Sequence, residues 1–265
     1  MRRLRAVVFG AVLLALAGTG VWLWVAGGSH PQTEAAAHHR RSRPSIAPWS
    51  LIATVNEPTP GYVNPDATAP FMTVPPTWAD APSSLPIIAS VPGWNEVRLV
   101  ARPPAAGTAW IPSASASITR TPYRIVVDLT LTRLLLFRHS RLKMCAPAGV
   151  GTAVTPTPVG HYFVALFAQS PTPEYGSFVM VTSAFADTVT DWQQAGDPIV
   201  TIEGPLASAA AIGRSGARVT TGSVRLLGRD LDRLRVVPSG TPIDVVNALR
   251  VALTPHERKT CKEDG

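Results

Sequence analysis

Tyr123-Arg124-Ile125-Val126-Val127-Asp128-Leu129-Thr130 is the stretch whose reading decides the fold of this chain. Ile125, Val127 and Leu129 recur at every second position, which places them on one face of an extended strand. A second apolar run follows at residues 134–137, and further short runs occupy 162–167, 177–182 and 198–202. Turn formers separate them: Pro147, Gly149 and Gly151, then Pro156, Pro158 and Gly160, then Pro171 and Pro173. Short strands closed off by frequent turns predict an all-β sandwich or barrel. The pattern supports one short helix, at residues 230–236, with Asp230 placed to cap it and Pro238 to close it. Upstream, residues 94–99 and 108–111 read as two strands of a small hairpin, which needs a neighbour to lean on.

Composition narrows the function classes. The chain has 265 residues, Lys+Arg 24 against Asp+Glu 17, and a net charge of +7, yet only 15% charged residues against a usual ~25%. The positive charge is not gathered into one stripe, so nucleic acid is not an expected partner. Cys145 and Cys261 are too few for a disulfide scaffold and lack metal-ligand spacing, so neither a metal nor another cofactor is expected. Whether these two cysteines pair with each other stays open at this level.

The N-terminal third reads differently. Arg2, Arg3 and Arg5 precede residues 6–26, which carry no charge and have Thr19 as their one polar side chain. Such a run makes a helix of roughly 30 Å, one hydrocarbon thickness. Residues 1–28 are therefore expected to be a single-pass membrane anchor with the C-terminal domain outside; the alternative is a cleaved signal leading to secretion. Residues 29–92 hold 12 of the 26 prolines, and 29–83 are expected to form an unfolded, extended tether. The resulting plan is anchor 1–28, tether 29–83, hairpin module 84–121, main domain 122–247 and polar tail 248–265.

Several spaced pieces inside the main domain occur in a telling order. They are residues 123–130, Gly-Val-Gly at 149–151, Thr-Pro-Val-Gly at 157–160, Ile-Glu-Gly at 202–204, Ile-Gly at 212–213, Thr-Thr-Gly-Ser-Val-Arg-Leu at 220–226 and Ser-Gly-Thr-Pro-Ile at 239–243. As a set they resemble the L,D-transpeptidase (YkuD-like) catalytic domain, over nearly half of the chain. The resemblance implies a β-sandwich and a cell-wall role in which a cysteine attacks a peptidoglycan peptide stem. It forms a thioester that a second stem's amine opens, a neighbouring histidine taking the thiol proton. The same cysteine is acylated by carbapenems.

The family's signature places a His-Gly on one strand and then, after roughly 14 to 17 residues, Ser/Thr-His-Gly-Cys with an arginine shortly after. In register, the first histidine position is Glu203, the second is Thr221 and the cysteine position is Ser223, while Gly204, Gly222 and Arg225 are kept. Serine is a far weaker nucleophile than cysteine and needs a positioned base. The histidines fall at 30, 38, 39, 139, 161 and 256, so only His161 could come near. Ser223 and Glu203 are thus the degenerate catalytic positions, and Thr221, Gly222 and Arg225 the candidate substrate-binding residues. Two functions follow from the resemblance. One is an exported wall protein that binds peptidoglycan stems without the cysteine reaction; the other is an acyl-transferase or hydrolase using Ser223, with Glu203 or His161 as base.

Overall fold

The computed structural model describes residues 47–102, 107–186, 198–248 and 253–263, all within a unit running from Ser42 to Gly265. Nine strands form the N-terminal part: β1 (Ser50–Val55), β2 (Thr59–Gly61), β3 (Met72–Val74), β4 (Thr77–Trp78), β5 (Ala81–Pro82), β6 (Ser84–Val91), β7 (Trp94–Arg98), β8 (Thr108–Pro112) and β9 (Ala116–Thr121). Five of them make an antiparallel sheet in the order β8-β7-β6-β1-β9.

This corrects the expected tether. From residue 50 onward the segment is built into sheets, and the strands at 84–121 belong to a larger module that includes β1. The reason lies in one short run, Leu51-Ile52-Ala53-Thr54-Val55, whose Ile52, Ala53 and Val55 are buried between two partner strands. Proline averaged over a long window hid it. The prolines themselves lie mostly in turns and at strand ends, where a missing N–H breaks no ladder. The expected anchor at 1–28 and the tether residues 29–46 lie outside the described residues. Among the described residues no helix is long and apolar enough to cross a membrane.

The main domain follows with β10 (Tyr123–Asp128), β11 (Arg133–Arg138), β12 (Arg141–Pro147), β13 (Gly149–Gly151), β14 (Gly160–Ala168), β15 (Val179–Phe185), β16 (Ile199–Glu203), β17 (Ala217–Thr220), β18 (Val224–Arg225) and β19 (Pro242–Val246). They form one sheet in the order β12-β11-β10-β19-β14-β15-β16-β18-β13-β17, with parallel pairs β10–β19, β16–β18 and β13–β17. The chain is all-β dominated, as the strand pattern requires. Alternation places Ile125, Val127, Leu134, Leu136, Val164, Met180, Ile202, Val224 and Ile243 in one apolar core.

Helices are few. The first, α1 (Ala209–Ile212), is a single turn, and α2 (Gly228–Asp232) runs into a 3₁₀ turn at Arg233–Val236. The expected cap is displaced: Asp230 sits inside α2, buried, with Arg229 and Arg233 each 3.7 Å away, and Leu227 occupies the cap position. Leu231 and Leu234 face the core, and that demand sets the helix phase. The tail is also more than polar. Its α3 (Pro255–Glu263) packs on β12, and Cys261 forms a disulfide with Cys145. There the second face of β10–β12, with Val126, Leu135, Phe137 and Leu142, is covered.

Candidate functional site

Parallel strands β16 and β18 pair Ile202 with Val224 and Glu203 with Arg225. Ile202 and Val224 point into the core. Their neighbours Thr201, Glu203, Ser223 and Arg225 must therefore face the other way, and all four line a cavity of about 300 Å³. Thr221 lies exposed at the same cavity, whose apolar walls include Val179, Ile199 and Leu206. The sequence-selected residues are thus brought together.

The turn before β18 is held by Thr220, whose hydroxyl donates to the Ser223 carbonyl at 2.6 Å and accepts from the Gly222 N–H at 3.2 Å. Gly222 has φ +116°, and a Cβ there would stand 2.9 Å from the Ala186 Cβ, so both backbone and space require glycine. This turn presents Ser223 half-buried at the cavity wall.

Ser223 does not touch Glu203 through any hydrogen bond; Thr201 stands between them. The Thr201 hydroxyl donates to Glu203 Oε2 at 2.6 Å and lies 2.9 Å from Ser223 Oγ, while the Thr201 N–H donates to Ser223 Oγ at 3.3 Å. With the Thr201 proton committed to the carboxylate, Ser223 is the donor of the remaining bond. Arg225 Nε lies 3.5 Å from Glu203 Oε1, close enough for charge attraction but without an aligned hydrogen bond, and that buried N–H has no acceptor among the described residues. Burial pushes the Glu203 carboxyl above its usual range, opposed by the Thr201 hydroxyl and the Arg225 charge.

No histidine is among the residues lining this cavity. His161, the one imidazole that could have come near, lines a different cavity, with Nδ1 2.7 Å from Asp244 Oδ1. His139 packs on Trp49, their ring centroids 4.4 Å apart. Cys145 is closed into its disulfide, so no free thiol exists among the described residues. Nor do the described residues hold a group of three or more metal-ligating side chains. Thr201 is the participant that sequence reasoning missed. Its signal was positional: two residues before Glu203 on a strand, hence on the same face.

Residues 122–245 match the family model described as the L,D-transpeptidase catalytic domain. The match spans just under half of the chain. Three solved structures are similar to parts of this chain. An L,D-transpeptidase from Mycobacterium smegmatis is 15% identical, with 61% of this chain and 82% of that one covered and a TM-score of 0.38. An L,D-transpeptidase from Mycobacterium tuberculosis H37Rv is 16% identical over 52% and 71%, TM-score 0.38. Bd1075 of Bdellovibrio bacteriovorus is 17% identical over 54% of each chain, TM-score 0.37. No curated protein matches the chain.

Proposed function

We propose that this protein is an exported cell-wall component that binds peptidoglycan peptide stems through the Ser223–Arg225 cavity and does not carry out the cysteine transpeptidation of its family. The observation that carries the reading is the environment of Ser223. Placed by the resemblance at the family's nucleophile position, it is held by the Thr201 N–H and hydroxyl, and no imidazole is among the described residues lining its cavity. The hydrogen bonds between Ser223 and Glu203 run through Thr201, so Glu203 is not directly placed as a base on the Ser223 hydroxyl. Arg225 supplies what binding needs, a mostly buried guanidinium with an N–H that has no acceptor among the described residues.

The second reading, a Ser223-dependent acyl-transferase or hydrolase, rests on the same Ser223–Thr201–Glu203 chain of hydroxyls taken as a relay. Export is supported by the uncharged run at residues 6–26 behind Arg2, Arg3 and Arg5, whether it is an anchor or a cleaved signal, and by the Cys145–Cys261 disulfide, which suits an oxidising compartment.

Co-sedimentation of the full-length chain with intact peptidoglycan tests the binding reading. Arg225→Ala is expected to weaken retention about tenfold or more, the scale of a lost charge-assisted hydrogen bond, and Ser223→Ala to change it little. Retention unchanged in Arg225→Ala, alongside a lowered melting temperature, would assign Arg225 to structure and place the ligand elsewhere.

A further inference from the structure

A second cavity, of about 380 Å³, lies at the seam between the N-terminal sheet and the main domain. Its walls come from both: Trp49, Leu51, Ile88 and Arg98 from one side, Arg124, His161 and Asp244 from the other. The order β10-β19-β14 puts Asp244 between Arg124 and His161 on the flanking strands, since Asp244 pairs with Val126 on one side and with His161 on the other.

Both oxygens of Asp244 are already used. Arg124 Nε donates to Oδ2 at 2.6 Å, Arg124 Nη2 reaches Oδ1 at 3.4 Å, and His161 Nδ1 meets Oδ1 at 2.7 Å. Burial alone would raise the Asp244 carboxyl, but Arg124 and His161 outweigh it and hold it below the usual range, so it stays ionised. Arg98 is the cation left over. Its side chain is partly buried against the cavity, within the field of Asp244 and Glu96, and it makes no hydrogen bond or ion pair among the described residues. Arginine does not shed its proton to relieve this. Among the arginines and carboxylates that line the cavity, Arg98 and Arg124 against Asp244 leave one positive charge in excess, with Glu96 near Arg98 but not on the cavity wall, and this charge is set beside the apolar surface of Trp49, Leu51 and Ile88. The volume falls within the range of small-molecule sites.

We propose that this seam cavity binds a small amphipathic monoanion, a carboxylate carried on an apolar or aromatic body, with Arg98 as its anchor. A planar guanidinium fork matches a carboxylate with two parallel N–H···O bonds, and a single excess charge matches a monoanion better than a dianion. Trp49 and Leu51 take the apolar body, and Asp244, its oxygens occupied, fixes Arg124 without competing for the ligand. The site is independent of the Ser223 cavity, which shares none of its lining residues.

The probe is phenylacetate, titrated into the full-length chain in detergent and followed by calorimetry and by backbone and indole NMR shifts. Saturable binding is expected, with perturbations gathered at Trp49, Leu51 and Arg98, and a loss of affinity of about tenfold or more in Arg98→Gln. Arg98→Lys should recover part of it, and neutral phenylacetamide should bind at least as weakly as phenylacetate binds Arg98→Gln. Equal binding of phenylacetamide, tighter binding of phenyl phosphate, or perturbations gathered around Ser223 and Arg225 would each overturn the proposal.

Discussion

Glu203 is the residue whose behaviour separates a dead scaffold from a merely rearranged site. It is 5% exposed, shares a proton-bearing contact with Thr201 and faces Arg225 without an aligned bond. Because burial raises its pKa in the folded protein, the fold favours the neutral acid relative to the unfolded chain. Below the unfolded value both states are protonated and no penalty applies. As pH rises from there through the folded value, the wild-type protein loses stability that a non-ionising side chain keeps. The melting temperature of Glu203→Gln relative to wild type is therefore expected to climb from pH 4 towards pH 7 in thermal scans. A gap that stays flat or shrinks over that window contradicts the assignment. At this scale the sequence was informative: Glu203, Thr221, Gly222, Ser223 and Arg225 all line or shape one cavity. Spacing could place Thr201 on the face of Glu203, but not against Ser223, because that contact comes from the parallel β16–β18 register, which joins residues 22 apart in the chain.

Strand β14 ties the N-terminal sheet to the main domain, and alternation along it is the device. Val164 enters the main core, while Phe163 and Ala165 point the opposite way, into the core formed by Ala53, Val55, Val97 and Ile111 of the N-terminal sheet. Gly240 adds a second tie. Its φ is +83°, and the position a Cβ would take is 2.6 Å from Ile52 of β1. Phe163→Ala should accordingly cost about 3–5 kcal/mol, the usual scale for removing a fully buried phenylalanine. Chemical denaturation should show a lowered midpoint in one transition shared by probes in both sheets. Two separate transitions, with only the N-terminal probes shifted, would mean that the seam does not couple them. The strands of the main domain were readable from two-residue periodicity, whereas β1 was not. Its partners β6 and β9 lie some 30 and 65 residues downstream, beyond what any local window weighs.

At the scale of the whole molecule, the Cys145–Cys261 bond closes a loop of 116 residues and pins α3 to the outer face of β12. Cross-linking so long a loop restricts the unfolded chain, and natural disulfides of this kind are worth about 2–5 kcal/mol. Cys261→Ser, which spares the buried Cys145 side, should lower stability by that order and leave the far cavity's binding unchanged; equal stability of the variant and the wild type in denaturant titrations would speak against a formed bond. The two cysteines were visible in the sequence, but their pairing depends on where α3 docks. The proposed function turns on one chemical claim, that Ser223 does not become acylated. The direct measurement is the intact mass of the full-length chain after exposure to a carbapenem and, separately, to a peptidoglycan stem peptide. The account predicts an unchanged mass in both; a mass increase equal to the acylating group, absent in Ser223→Ala, would contradict it.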